Sequence, residues 1–175
     1  MHRFFYVILL VTLCACATKP PAPISRVPPG NLNLAEVKVQ PNQHISSEVR
    51  WGGTIVKVEN KAEQTWVEIV QRSLTKDAKP NLNSKSSGRF IASFPGFVDP
   101  VVYEQGRLLT IIGNIDSELI RPIGEFNYPF LLVTVTSSYL WPKEVEYVRQ
   151  EIYPPPWWGY DPWPYYYRTR PHHHD

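Results

Sequence analysis

Cys14 and Cys16 are the residues of this 175-residue chain whose types and spacing point most directly to chemistry. Two thiols one residue apart could form a redox pair or half of a metal site. A structural metal site wants about four ligands, and the sequence holds only these 2 cysteines. A redox pair needs a folded scaffold, whereas this pair closes an apolar run, Phe4 to Leu13, interrupted only by Thr12. Leu13-Cys14-Ala15-Cys16 instead places an aliphatic residue three positions before a cysteine, with small residues between them. That is the pattern of a lipobox. The chemistry it implies is acylation of the Cys16 thiol by diacylglycerol, cleavage between Ala15 and Cys16, and a further acyl chain on the new amino group. Small residues at the two intervening positions let the chain lie extended in a protease groove. Cys14 leaves with residues 1–15, so one lipidated cysteine remains and no disulfide can form.

The preceding residues agree. Met1-His2-Arg3 is a short basic start, and Phe4–Leu13 is too short for a membrane span, which needs about 20 apolar residues. Residues 1–15 therefore read as a signal peptide. Position 17 is Ala17, not the aspartate that retains such proteins in the inner membrane, so the outer membrane is the expected address. Acyl chains gain about 0.8 kcal/mol per buried methylene and hold a protein stably when two or three act together. The expected partner is outer-membrane lipid, with the folded part facing the periplasm. The longest apolar run after Cys16, Phe130 to Val133, cannot cross a bilayer.

Other residues offer less. A Ser-His-Asp arrangement needs a positioned histidine. His44 lies in a lead-in segment and His172, His173 and His174 lie at the end. Three imidazoles with Asp175 could bind a transition metal weakly but lack the supporting groups that tune a site, so no metal is expected. Gly52-Gly53 precedes a strand rather than a helix, so it offers no phosphate site at a helix start. Asp99, in Gly96-Phe97-Val98-Asp99-Pro100, could line a pocket, but Asp before Pro also initiates turns. Glu125 after Gly124 is similar, and spacing alone does not pair two carboxylates across a cleft. The net charge of +2 excludes a nucleic-acid binder held by its charge. The chain reads as no enzyme, with no cofactor beyond the covalent lipid on Cys16.

The elements that would carry these residues are mostly strands. Ala17 to Gly30 contains Pro20, Pro21, Pro23, Pro28 and Pro29, which exclude a helix or central strand. It reads as a semi-rigid spacer reaching about 40 Å at about 3.1 Å per residue. Residues 31–45, with Leu32, Leu34, Val37 and Val39, fit either an edge strand or an extended lead-in. Trp51–Glu59 and Thr65–Arg72 alternate as half-buried strands joined at Asn60–Glu63. Thr75–Ser87 is a loop. Gly88–Phe94, Leu108–Ile115 and Phe130–Val135, extended to Ser138, complete the set, with Gly113 marking a bulge or close approach. The expected core is Ile55, Val67, Ile69, Phe90, Phe94, Leu109, Ile111, Leu132 and Val133. Five or six strands in about a hundred residues suit a small antiparallel, OB-like barrel.

The expected organisation is a signal peptide (1–15), a lipidated cysteine with a Pro-rich tether (16–45), a β domain (46–150) and a Pro/aromatic-rich tail (151–175). Val145, Val148 and Ile152 keep helical spacing while Val145 and Tyr147 keep strand spacing, which leaves that segment open. Residues 154–171 hold seven aromatics and six prolines, a composition no regular element tolerates. Prolines reduce the entropy lost on docking, and Trp157, Trp158 and Trp163 would anchor contacts with an envelope protein, a polysaccharide or the membrane interface. A tail without a partner is the alternative.

Trp51-Gly52-Gly53, Gly88-Arg89-Phe90, Gly96-Phe97-Val98-Asp99-Pro100, Gly106-Arg107, Gly124-Glu125 and Leu140-Trp141, with the lipobox at Cys16, resemble the starvation-inducible outer-membrane lipoprotein (Slp) family. The resemblance covers roughly residues 1–142 and leaves the tail outside. It implies lipid anchoring at the outer membrane, a link to starvation or stationary phase, and a structural or interaction role without an established enzymatic activity. An OB-like module binding a saccharide or small molecule is the alternative function.

Overall fold

The computed structural model describes residues 19–30 and 32–143. Five strands carry the fold: β1 (Glu48–Asn60), β2 (Gln64–Arg72), β3 (Arg89–Pro95), β4 (Leu108–Ile123) and β5 (Phe126–Leu140). They close into a barrel in the order β1-β2-β3-β5-β4. All pairings are antiparallel except β3 with β5, where Phe90 faces Leu131 and Ser93 faces Thr134. The expected mainly β, OB-like barrel of five or six strands therefore forms with five, and with one parallel pairing in an otherwise antiparallel sheet.

Alternation builds the core. Thr65, Val67, Ile69 and Gln71 on β2 are buried in turn while their neighbours are half-exposed. Ile55, Val67, Ile69, Phe90, Phe94, Leu109, Ile111 and Val133 meet in one interior cluster with Trp51 and Leu131. The Trp51 and Phe90 rings meet edge-on at 5.4 Å. Leu132 is buried as expected but faces outward, where it packs with Ile91 and Phe130. Its neighbour Val133 takes the inward position, because successive side chains on a strand point to opposite faces.

Two close approaches need glycine. A Cβ at Gly53 would lie 1.9 Å from the Val70 carbonyl oxygen, and one at Gly113 would lie 2.3 Å from that of Thr134. Gly113 also sits at a register shift between Ile112 and Gly113, as its place in the strand pattern indicates.

Because β3 neighbours β2 and β5, the chain must cross a barrel end to reach β4. The β3–β4 loop, residues 96–107, does this, and its Val98 and Tyr103 pack on the interior cluster. Tyr103 meets Phe94 at 5.7 Å. The opposite opening is closed by a short helix, α1 (Leu34–Val39), whose Leu34 and Val37 are fully buried. Of the segment 31–45, read as an edge strand or an extended lead-in, the described residues form neither: they carry α1 and a 3-10 turn, Pro41–His44. Asn33 caps α1 by accepting from the Glu36 amide at 2.9 Å, and Glu36 accepts from the Asn33 amide at 3.2 Å. This reciprocal cap satisfies two otherwise unpaired donors.

The Pro-rich segment is only partly a spacer. Residues Ala22–Ile24 form a 3-10 turn against the barrel, with Ile24 fully buried beside Ala78 and Trp141. The strands also outrun the sequence reading. β4 continues past Ile115 to Ile123, its side chains alternating between exposed and half-buried from Asp116 onward, and β5 begins at Phe126. Residues 144–175 lie outside the described residues.

Ile111→Ala removes a fully buried side chain from the interior and should destabilise the fold by about 2–5 kcal/mol in urea unfolding. Gly53→Ala should also lower the unfolding midpoint, by forcing β1 away from β2.

Candidate functional site

The ends of β4 and β5 beyond the barrel form a two-stranded arm. β4 pairs with β1 only from Leu108 to Asn114, and β5 pairs with β3 only from Leu131 to Thr134. Between them, Leu119–Ile123 pairs with Phe126–Phe130 alone. Period-two spacing puts Leu119, Ile123, Tyr128 and Phe130 on one arm face. These residues pack with Trp66 of β2, Ile91 of β3 and Leu132, so the arm lies along the outer face of β2 and β3. Oligonucleotides and oligosaccharides bind OB-like barrels on that face and on the adjoining β1–β2 and β4–β5 loops. Here the chain's own arm covers it.

Charged groups hold the arm down. Arg121 Nη2 donates to both carboxylate oxygens of Glu59 at 2.9 Å. Lys57 Nζ lies 2.7 Å from one of those oxygens and Lys61 Nζ lies 3.7 Å from the other. Lys61 Nζ also sits 4.3 Å from the centre of the Trp66 ring, with the Arg121 guanidinium 5.5 Å away. A cation over an indole face is attracted by the ring's quadrupole. Arg89 pairs with Glu68 at 2.7 Å alongside. The hydrogen bond from Arg121 is the main reason the Glu59 carboxyl titrates at about 2 rather than its ordinary 4.5, with Lys57 adding to it against the opposing effect of burial.

A second anchor joins the arm to α1. The Tyr128 hydroxyl accepts from Lys38 Nζ at 2.6 Å and from the Arg89 amide at 2.9 Å. Gly88, at φ +119°, leaves the space, since a Cβ there would lie 2.5 Å from that hydroxyl.

Open grooves lined by described residues flank the barrel. One, about 500 Å³, is lined by Lys61, Glu63, Gln64, Ser93 and Thr134. Another, about 490 Å³, is lined by Arg50, Gln71, Ser73, Thr75 and Ser87 among others. In the second, Gln71 is spent internally, donating to the Arg72 carbonyl at 3.0 Å and accepting from the Ser87 amide at 3.2 Å. Arg50 donates to the Ile24 carbonyl at 3.1 Å, and burial pushes its pKa down. Among the described residues, no three His, Cys, Asp or Glu side chains gather to hold a metal.

The residues singled out in the sequence are scattered. Asp99 is exposed and closes a turn, its Oδ1 accepting from the Val101 amide at 2.8 Å. Glu125 is exposed at the arm tip, beside Gly124 at φ +60°. His44 ends a 3-10 turn, Pro41–His44. Gly52 and Gly53 serve strand packing. Ala15, Cys16, Trp157, Trp158, Trp163 and His172–His174 lie outside the described residues. Sequence reasoning misses the arm and its Glu59–Arg121 latch, although Phe126, Tyr128 and Phe130 alternate as a strand does after the Gly124 turn.

The model of the outer membrane lipoprotein Slp family matches residues 13–170. The chain belongs to this Slp family. Membership makes it an envelope lipoprotein of the outer membrane. It is 34% identical over 160 residues to the uncharacterized lipoprotein YeaY of Escherichia coli (strain K12), covering 89% of this chain and 80% of that protein. It is 32% identical over 143 residues to the outer membrane protein Slp of the same organism, covering 77% and 74%. The Slp match begins before Cys16 and runs through the aromatic tail to residue 170. It therefore extends past residue 142, where the resemblance visible in the sequence motifs stops.

Glu59 has its carboxyl pKa depressed by the native fold, so the stability it contributes is present above about 4.5. That stability should be lost as pH falls from about 4.5 through about 2. Urea unfolding at a series of acidic pH values should show this slope, and Glu59→Gln should flatten it.

Proposed function

We propose that this Slp-family chain is a non-enzymatic interaction module of the envelope, linked to starvation or stationary phase. In this reading residues 1–15 are removed, Cys16 carries the acyl chains, and the barrel faces the periplasm. The filled interior carries the reading. Trp51, Phe90, Phe94 and their neighbours occupy the barrel, so recognition falls to its surface. A filled barrel with exposed apolar side chains suits a protein or lipid partner better than an enclosed small molecule. The polar groove beside Lys61, Glu63 and Gln64 supports the alternative of a saccharide ligand.

The intact mass of the membrane form should correspond to a chain starting at lipidated Cys16. A soluble mature protein, or one retaining Met1, would overturn the anchor. Cys16→Ala should leave an uncleaved precursor in the inner membrane, and Ala17→Asp should move the mature form there.

Deleting residues 154–175 should leave folding and lipidation intact but reduce crosslinks to envelope partners, because Trp157, Trp158 and Trp163 go with the tail. Unfolding of the barrel on deletion would mean that the tail is packed structure.

A further inference from the structure

The β3–β4 loop carries three exposed apolar side chains close together in sequence. Phe97, Val101 and Val102 are 74%, 80% and 47% exposed. The loop that presents them is well braced. The Thr65 hydroxyl accepts from the Val98 amide at 3.0 Å, and Asp99 holds the turn into Val101. At the other end, Gly106 and Arg107 pair with Ile55 at 2.9 Å. Exposed apolar side chains held on a fixed loop mark a surface that meets a partner.

The position of the anchor segment identifies that partner. Ile24 is clamped to the barrel wall beside Ala78 and Trp141. The Ser137 hydroxyl donates to the Pro23 carbonyl at 2.6 Å, and Arg50 donates to the Ile24 carbonyl at 3.1 Å. The clamp adjoins the loop, because Arg107 donates both to the Val102 carbonyl at 3.0 Å and to the Trp141 carbonyl at 2.7 Å. From Ile24 the chain leads to Arg26, paired with Glu48 at the start of β1, and on to α1 at the opposite opening. Upstream, Cys16 is eight residues away, a separation that spans at most about 28 Å. Acyl chains on Cys16 therefore bring a lipid surface within reach of the wall that adjoins the loop.

We propose that the β3–β4 loop is a membrane-contact surface, with Phe97, Val101 and Val102 entering the headgroup region of the lipid layer that holds the acyl chains. This rests on acylation of Cys16. The contact is shallow. Asp99 is exposed between the apolar side chains, and Glu104 is paired with Lys143 at 2.5 Å. Both acids belong at headgroup depth rather than in hydrocarbon. An acyl anchor and a few interfacial apolar side chains together hold a protein in one orientation, which a flexible lipid tether alone does not.

The test uses the full lipidated chain carrying one introduced cysteine, since the acylated Cys16 leaves no other thiol. Val101→Cys reports the loop. Val39→Cys, 77% exposed on α1 at the opposite end, is the reference. Each is labelled with bimane and placed in phosphatidylethanolamine–phosphatidylglycerol vesicles. In the expected result, the Val101 probe shifts to the blue, loses fluorescence to a nitroxide on a shallow acyl position, and is shielded from aqueous iodide. The Val39 probe does the reverse, and Phe97→Gln restores iodide access at position 101. If the protein floats with the vesicles while iodide quenches both probes alike, the loop proposal fails and the anchor stands. Shielding from both quenchers would mean that a protein surface or a second copy covers the loop, which also overturns the proposal. A chain that does not float at all removes the Cys16 anchor and the loop contact together.

Discussion

The parallel pairing of β3 with β5 is the constraint on which the rest of this structure depends. Once β5 lies beside β3, β4 can join only between β5 and β1, and the sheet closes on itself. Closure removes free strand edges, which are otherwise templates for aggregation. It also makes a cylinder narrow enough for side chains to fill. Trp51 and Phe90 take much of that space and meet edge-on at 5.4 Å. Gly53 and Gly113 let neighbouring backbones come close enough to accommodate them.

Closure also distributes the chain over the outside. The β3–β4 connection must cross one opening, and it presents Phe97 and Val101 as it does so. The other opening is stopped by α1, whose apolar residues are too few to form a stable helix alone but enough to plug a barrel. β4 and β5 are longer than the barrel is tall, so their ends leave it and lie over β2 and β3. The face that OB-like barrels commonly offer to polymers is thereby used internally, held by Arg121 on Glu59 and by the Tyr128 hydroxyl.

The N-terminal segment shows how a short stretch of sequence can set geometry at a distance. Pro21 is extended, but Ala22–Ile24 turn against the barrel, and the apolar Ile24 finds a site beside Trp141. Burial of that one side chain shortens a spacer whose composition alone suggests a reach of about 40 Å. It also fixes the side of the barrel along which the segment runs.

By itself the sequence determined the central part of each strand, the strand order along the chain and most of the core, but not the arm. Val67 and Ile69 alternate with polar residues, and a period of two admits no other regular element. The lipobox pattern at Leu13–Cys16 is equally local, a matter of residue types at adjacent positions. The helix at Leu34–Val39 was legible in the spacing from Asn33 to Glu36, a cap signal that the surrounding β pattern masked. What only the tertiary structure decided is which residues meet across the barrel. Leu132 and Val133 are adjacent and equally apolar, and the pairing register alone sends one outward and the other in. Arg121 and Glu59 are 62 residues apart, and nothing in their local sequence predicts a shared ion pair. Their meeting depends on the arm folding back, which follows from strand order and barrel closure. Those are properties of long-range pairing, fixed only when the whole chain is in place.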